Sequence, residues 1–142
     1  MKNYLIAFIF LISGSMMLAQ SPIGLWKTID DETGKAKSHV QIYEQNGALY
    51  GKVVKILTVG KENAVCSECD GTKKNKPING MIILEDVKKV GKKKWDNGEI
   101  LDPNKGKTYS VSLELENADK LKVRGYMGFS LLGRTQYWHR VK

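Results

Sequence analysis

The alternating pattern between residues 107 and 124 constrains the fold of this chain most strongly. Apolar residues recur there at every second position of each segment: Tyr109, Val111, Leu113, Leu115, Leu121 and Val123. A polar turn at residues 117–120 separates the two segments. Because successive side chains of a β-strand point to opposite faces, this period of two predicts antiparallel strands with one buried face. We therefore expect Leu113 and Val123 to face the core from neighbouring strands.

Turn signals divide the rest of the chain into further short strands. Asn46-Gly47 and Asn97-Gly98 are typical of two-residue hairpins, because a type I′ turn needs positive φ at both central residues. A longer turn is predicted where Asp102-Pro103 is followed by Gly106, which can return the chain in a left-handed conformation. The other predicted strands are Gly24–Ile29, Lys37–Tyr43, Ala48–Val59, Met81–Leu84 and Arg134–Val141.

Three segments depart from simple strand patterns. Gly51 predicts a bulge or sharp bend within its strand. Residues 61–80 are too polar for a strand and too rich in Gly, Pro and Asn for a helix, which predicts a long irregular loop. Val87 and Val90 predict a single helical turn before Gly91. Eight or nine short strands with hardly any helix predict an all-β fold, a single antiparallel β-barrel.

The first 19 residues have the layout of a secretory signal peptide. Lys2 supplies a positive charge, residues 4–12 form an apolar run, and Ala19 offers a small residue before a cleavage point. The run is shorter than the roughly 18 apolar residues of a membrane-spanning helix, so we expect cleavage rather than anchoring. Residues 20–142 are then expected to be one barrel domain, periplasmic or secreted, that does not span the membrane.

The formal net charge of +8 limits the classes of partner expected for such an exported chain. A basic exported protein meets anionic envelope surfaces such as phospholipid head groups and lipopolysaccharide, whereas nucleic acid is not expected there. The alternative is that the charge keeps a small domain soluble and has no partner of its own.

Cys66-x-x-Cys69 is the sharpest local motif, and three interpretations compete for it. A redox site would normally follow a strand and open a helix, a context that this polar loop lacks. A zinc site needs four ligands, and the chain has only His39 and His139 to add. A disulfide is the default in an exported protein, although so short a closed loop contributes only about 2 kcal/mol of stability. We predict a Cys66–Cys69 disulfide that shapes its loop, with no metal and no cofactor.

No catalytic constellation stands out, and we expect a protein that is not an enzyme. His39 and His139 stand alone on predicted strands, with no Ser, Cys or paired carboxylate nearby in sequence. Paired carboxylates for glycoside chemistry could come from Asp96, Glu99 and Asp102, but turns favour Asp at two of these positions. A hydrolase or isomerase that uses an Asp and a His inside the barrel is the least favoured hypothesis.

Aromatic and basic residues near the end of the chain are the candidates for a ligand site. Tyr and Trp combine an apolar body with a hydrogen-bonding tip, which suits an amphipathic pocket as well as a core. Arg124 and Tyr126 share one strand face, and Arg134, Trp138 and Arg140 share another. If these faces meet inside the barrel, they form an aromatic pocket with a cationic end. We therefore predict that the five residues bind a small apolar or anionic amphipathic molecule.

The first and last strands resemble those of the calycin superfamily. The resemblance rests on Gly24-Leu25-Trp26 and on an Arg beside Trp138. It implies that Trp26 plugs one end of the barrel and that a guanidinium from the closing strand stacks on its ring. Arg140 and Arg134 are both candidates for that stacking position.

An ordered series of motifs covers nearly all of residues 20–142. It comprises Gly24-Leu25-Trp26, Leu49-Tyr50-Gly51-Lys52-Val53, Cys66 to Cys69, Pro77-Ile78-x-Gly80, Trp95-x-x-Gly98-x-Ile100-x-Asp102-Pro103-x-x-Gly106-Lys107-Thr108-Tyr109, Leu121-x-Val123-Arg124-Gly125-Tyr126 and Arg134-Thr135-x-x-x-Trp138-x-Arg140-Val141. This series resembles the bacterial domain of unknown function 2147 family. The resemblance implies an exported, lipocalin-like β-barrel, and it brings no established ligand, reaction or catalytic residue.

Two hypotheses from different classes follow for the function. In the first, the barrel is an exported, non-catalytic protein that binds a small apolar or amphipathic molecule between its walls. In the second, it is an envelope interaction or scaffold protein whose interior is simply packed. A roomy, aromatic-lined interior favours the first hypothesis, and a filled interior favours the second.

Overall fold

The computed structural model of the chain describes residues 20–128 and 132–142. The predicted signal peptide, residues 1–19, lies outside the described residues and stays a prediction. Within these ranges the structure has eight strands: β1 (Gly24–Ile29), β2 (Ala36–Gln45), β3 (Ala48–Ile56), β4 (Ile82–Gly91), β5 (Lys94–Asp102), β6 (Lys107–Asn117), β7 (Lys120–Tyr126) and β8 (Gly133–Arg140). The one helical element in the described ranges is a turn of 3₁₀-helix at Gly71–Lys73.

The eight strands form a closed, up-and-down barrel. Each strand pairs antiparallel with the next along the chain, and β1 pairs with β8 to close the sheet. The predicted all-β fold, a single antiparallel barrel of eight to nine strands, is thereby confirmed. No helix in the described parts of the chain has the length and apolar character needed to cross a bilayer.

Residues that alternate along the strands build the core. Leu113 on β6 lies opposite Val123 on β7, and both are buried, as the alternating pattern predicted. The other apolar residues of this pattern also point inward or lie against the core. The barrel around Trp26 is filled by fully buried side chains: Val40, Ile42, Leu84, Val87, Val111 and Leu121.

The two ends of the barrel differ in how their strands are connected. At the end nearest Trp26, two-residue turns join β2 to β3, β4 to β5 and β6 to β7. The connections at the opposite end are longer: those from β1 to β2, from β3 to β4 and from β5 to β6 span residues 30–35, 57–81 and 103–106. Asn46 and Gly47 have positive φ angles of 52° and 77°, which confirms the hairpin predicted there.

The hairpin predicted at Asn97-Gly98 is wrong. These residues form a bulge inside β5, where the register against β6 shifts between Trp95 and Gly98. A Cβ atom on Gly98 would lie 2.5 Å from the Glu85 carbonyl oxygen, so glycine here permits the close approach of β4. The turn between β4 and β5 occupies residues 92–93 instead.

The helical turn predicted from Val87 and Val90 is also wrong, because both residues lie in the continuous strand β4. Val87 is fully buried, whereas Val90 is 54% exposed. Residues three apart face the same side of a helix but opposite sides of a strand. The spacing of the two valines is therefore compatible with a helix, but pairing with β3 and β5 in the closed barrel makes this segment a strand.

The other two irregular segments agree with the sequence. The register between β3 and β4 shifts on both sides of Gly51, where an added Cβ would lie 2.9 Å from the Leu84 Cβ. Residues 61–80 form the predicted irregular loop, interrupted by the 3₁₀ turn and by a β-bridge between Val65 and Pro77. Cys66 and Cys69 form a disulfide in this loop, as predicted, with Cα atoms 5.3 Å apart.

Candidate ligand cavity

A cavity of about 870 Å³ lies in the half of the barrel nearest the long connections. Inward-facing strand residues and the 57–81 loop give it apolar walls: Val53, Ile78, Ile83, Ile100, Leu101, Val123 and Trp138. The fully buried residues nearest Trp26, such as Ile42 and Leu84, do not line it. The barrel is therefore filled at the Trp26 end and hollow at the other end.

Few polar side chains interrupt the deep wall. Thr28 Oγ1 and Ser38 Oγ lie 2.8 Å apart and share a hydrogen bond, so this pair of hydroxyls is satisfied internally. Trp138 is 2% exposed, and its indole nitrogen has no hydrogen-bond partner among the described residues. A buried donor without an acceptor costs about 1–3 kcal/mol.

Lysine side chains surround the mouth of the cavity. Lys37, Lys61 and Lys105 line it, and none of the three forms an ion pair within residues 20–128 and 132–142. Arg134 lines it too, but its guanidinium donates hydrogen bonds to the Asp31 carboxylate. That hydrogen bond raises the pKa of Arg134. The lysines are therefore the cations available to an anionic group at the mouth.

Two carboxylates at the mouth are engaged in turns. Asp30 Oδ1 accepts the backbone N–H groups of Thr33 and Glu32 at 3.0 and 2.9 Å. These two bonds, the one from Thr33 first, lower the pKa of Asp30. Asp102 Oδ1 accepts the N–H of Asn104 at 3.0 Å, which is the turn role that the sequence suggested. Both carboxylates therefore accept hydrogen bonds from the backbone of their own turns.

Trp26 and Arg140 close the filled end of the barrel. The Arg140 guanidinium carbon lies 4.4 Å from the centroid of the Trp26 ring. Its nitrogen atoms donate to three carbonyl oxygens at 2.7–2.9 Å: those of Ala118, Ile23 and Ser21. Of the two candidate arginines, the structure thus places Arg140 on the ring, while Arg134 lies at the opposite end.

Glycine is required beside this plug. Gly24 has a φ of +140°, and a Cβ atom there would lie 2.5 Å from Arg140 Nη1. The Trp26 indole N–H donates to the Pro22 carbonyl oxygen at 2.7 Å, so this ring nitrogen is satisfied. The Gly-x-Trp motif is explained by these contacts, since the first position must admit the guanidinium that covers the third.

The structure does not bring the five predicted ligand-binding residues into one site. Tyr126, Arg134 and Trp138 line the cavity, whereas Arg124 and Arg140 do not. Arg140 covers Trp26 at the far end. Arg124 alternates with inward-facing Val123 and Gly125, so its side chain leaves the barrel wall on the other side.

Tyr126 reaches the cavity rim and is held there by a carboxylate. Its hydroxyl donates to Asp96 Oδ1 at 2.9 Å, and this bond raises the pKa of the Tyr126 phenol. Asp96 was a candidate catalytic carboxylate in the sequence. In the structure it accepts from Tyr126 and from the backbone N–H of Asn97, at 2.7 Å.

The disulfide loop forms part of the cavity mouth. Ala64, Val65 and Ser67 beside it line the cavity, and both cysteines are buried. Gly106 lets the β5–β6 turn pack against this loop, because a Cβ atom on Gly106 would lie 2.0 Å from the Glu68 carbonyl oxygen. The disulfide therefore shapes the entrance and not only its own loop.

Sequence reasoning missed most of the cavity-lining residues. Thr28 could have been found, because it alternates with Trp26 and faces inward with it. The three mouth lysines carry no comparable signal, since each belongs to a different connection or strand start. Neither histidine lines the cavity, and no cluster of His, Cys, Asp or Glu side chains in the described residues is arranged to hold a metal ion.

A closed antiparallel barrel with one filled and one hollow end defines the class: this is a lipocalin-like β-barrel. The fold is similar to that of a solved Helicobacter pylori protein, HP1028, which is described as belonging to the lipocalin family. The TM-score is 0.77, with 23% sequence identity over 86% of this chain and 84% of that chain. Likeness at this level of identity concerns the fold alone.

The chain belongs to the domain of unknown function 2147 family, which is described as uncharacterized protein conserved in bacteria. The match spans residues 24–140 and confirms the resemblance that the ordered motifs carry. Among curated proteins, no sequence matches this chain significantly.

Proposed function

We propose that this chain is an exported, non-catalytic barrel that binds one small apolar or amphipathic molecule in its hollow end. The observation that carries the proposal is the cavity of about 870 Å³ with apolar walls. Sites for small organic ligands have volumes of about 300–1,000 Å³, mostly apolar linings and a few polar groups. A scaffold with a packed interior, the competing hypothesis, predicts no such space.

The distribution of polar groups supports one orientation of the ligand. The deep wall is apolar, whereas Lys37, Lys61 and Lys105 stand at the mouth. Because burying an unpaired charge is costly, an apolar body belongs inside and an anionic group belongs beside the lysines. The lysines thus replace Arg124 and Arg140 as the residues proposed to bind the anionic group.

Binding is favoured over catalysis by the hydrogen bonds of the carboxylates at the mouth and by the positions of the histidines. Asp30 and Asp102 accept backbone hydrogen bonds from their own turns. The two histidines lie outside the cavity lining. Export is supported by the signal-peptide pattern of residues 1–19, and periplasmic or extracellular placement is part of the same proposal.

Fluorescence titration tests the proposal directly. Residues 20–142 are titrated with saturated fatty acids of increasing chain length while tryptophan emission is followed, since Trp138 lines the cavity. We expect a saturable one-to-one response at micromolar concentrations for chains that fit the space. Native mass spectrometry of the protein recovered from its own host would identify a resident ligand.

Two glycine variants separate cavity binding from surface adsorption. Gly125 lines the cavity, and a Cβ atom there meets nothing closer than 3.5 Å, so Gly125→Leu fills the space without a backbone clash. Gly91→Leu is the matched control, because Gly91 lies on β4 outside the cavity and its Cβ would meet only Lys94 at 3.6 Å. Binding should disappear in the first variant and persist in the second. Equal binding by both would refute the cavity as the site.

The position of the head group is tested by comparing acids with alcohols. Replacing Lys61 and Lys105 together by Gln should weaken the binding of a fatty acid and leave the alcohol of the same length unaffected. Equal effects on both ligands would show that the lysines do not contact the carboxylate.

A further inference from the structure

Five basic residues form a continuous row around the outside of the barrel. The strand registers pair Lys120 with His139, His139 with Lys27, Lys27 with His39, and His39 with Lys55. This row, named here the cationic row, crosses five adjacent strands in the order β7, β8, β1, β2, β3. It includes both histidines of the chain and no acidic residue.

The alternation of the strands directs this row outward. Lys27 lies between Trp26 and Thr28, which are both buried. Because neighbouring residues of a strand face opposite sides, the Lys27 side chain points away from the interior. The other four residues obey the same rule, since each adjoins a residue that faces the core or the cavity: Ser38, Ile56, Leu121 and Trp138.

No carboxylate neutralises the cationic row. Within residues 20–128 and 132–142, none of its members forms an ion pair. The Lys120 ammonium instead lies 4.6 Å from the centroid of the Tyr137 ring. Neighbouring outward positions two residues away along β8, β1 and β2 are neutral: Leu25, Ile29, Gln41, Tyr137 and Val141.

The shape of the row selects among anionic partners. Adjacent strands lie about 4.8 Å apart, so five of them carry the row over about 19 Å of the curved wall. The four intervals between these strands are half of the eight intervals around the barrel. A flat membrane can touch only part of such a convex row, whereas a flexible chain can follow all of it.

We propose that the cationic row binds a flexible linear polyanion, a chain with repeated phosphate or carboxylate groups that lie beside successive basic side chains. The interaction is electrostatic, so it weakens as salt rises. It uses the outer wall alone and is independent of ligand binding in the cavity.

Charge-matched variants test this surface. Affinity for long-chain inorganic polyphosphate and for polygalacturonate is measured at low salt, one polymer presenting phosphates and the other carboxylates. Replacing Lys27 and Lys55 by Gln should weaken binding by about tenfold to thirtyfold, since each lysine near an anionic surface contributes about threefold to fivefold to the affinity. Replacing Lys89 and Lys93 by Gln removes the same charge from an exposed hairpin and should change affinity less than about threefold.

Three results would overturn the proposal. The first is an equal loss of affinity in the Lys27/Lys55 and Lys89/Lys93 double variants, which would indicate that the polymers respond only to the net charge of the protein. The second is no binding of either polymer at low salt. The third is tighter binding, per anionic group, to vesicles of anionic phospholipid than to the free polymers. Thermal unfolding of each variant verifies that the barrel remains folded.

Acidification provides an independent readout. Burial and then the charges of Lys55 and Lys27 lower the pKa of His39. Lys27 and Lys120 face His139 from the strands on either side of it. A bound polyanion neutralises these lysines, so NMR titration should show a higher pKa for His39 in the complex than in the free protein. Affinity should also rise between about pH 7.5 and 5.5, and replacing His39 by Gln should reduce the rise. An unchanged rise in that variant would contradict the assignment.

Discussion

A single guanidinium closes one end of this barrel. Arg140 stacks on Trp26 and donates to three carbonyl oxygens that come from before β1 and from the β6–β7 turn. Gly24 leaves the space that the guanidinium occupies. The alternating pattern of β8 places Arg140 and Trp138 on one face, yet the two serve opposite ends of the interior. Residues on one strand face can therefore have unrelated roles when they lie at different depths.

The Gly24→Ala variant tests this close packing. Its Cβ would lie 2.5 Å from Arg140 Nη1, and the hydrogen bonds of Arg140 prevent an easy retreat. Gly34→Ala is the control, because Gly34 also has positive φ (71°) but an added Cβ would meet nothing within 4 Å. We expect the first substitution to cost about 1–3 kcal/mol more than the second in chemical denaturation. Equal losses would mean that backbone strain alone matters at Gly24.

At the scale of elements, the strand faces were predictable and the turns were less so. β6 and β7 follow the period of two from end to end, and their buried residues are those that the pattern indicated. Asn97-Gly98 carries the same local signal as Asn46-Gly47 but forms a bulge. The difference arises because β4 packs against Gly98, a contact that no local sequence pattern specifies.

Truncation of Leu113 tests the assignment of strand faces. Leu113 is 1% exposed, so Leu113→Ala should lower the free energy of unfolding by about 2–5 kcal/mol. Glu114→Ala on the other face of β6 should change it by less than about 0.5 kcal/mol. Urea titrations of both variants provide the comparison. A loss below half a kcal/mol for Leu113→Ala would show that the faces are reversed.

The disulfide loop provides a second test at this scale. Intact mass analysis without reductant should give a mass two hydrogens below that of the dithiol, because Cys66 and Cys69 are joined. Reduction should cost about 2 kcal/mol or less, since the closed loop is short. It should also alter ligand binding, because the loop forms part of the cavity mouth. Stoichiometric zinc in protein purified without added metal would contradict the assignment.

At the scale of the whole molecule, the segment before β1 belongs to the barrel. The carbonyl oxygens of Ser21, Pro22 and Ile23 accept hydrogen bonds from Arg140 and Trp26 at 2.7–2.9 Å. The predicted cleavage after Ala19 retains all three residues. The filled side of the barrel therefore depends on contacts between the segment before β1 and Arg140 on the last strand.

Trimming this segment should destabilise the whole barrel. A chain that starts at Gly24 loses the acceptors of the Trp26 indole and of two Arg140 nitrogens. We expect a loss of at least about 2 kcal/mol relative to residues 20–142, because the buried Trp26 indole N–H is left unsatisfied and two hydrogen bonds of the half-buried Arg140 are lost. Removal of Lys142, whose ion pair with Asp119 is exposed, should have little effect and serves as the control. Similar melting temperatures for all three chains would argue against the plug.

The sequence by itself determined most of the strands, their inward faces, the disulfide and the pairing of a Trp with a basic side chain, while β4 and β5 were predicted only in part. Periodicity reports the strands and their faces directly, whereas the disulfide follows from the spacing of two cysteines and the Trp pairing from an ordered set of motifs. Only the tertiary structure decided that one end is filled and the other hollow. Cavity volume depends on how side chains from all eight strands meet, which no local pattern records. For the same reason, Lys37, Lys61 and Lys105 come together at the mouth although they are separated in sequence. The cationic row likewise exists only through the registers that join β7, β8, β1, β2 and β3.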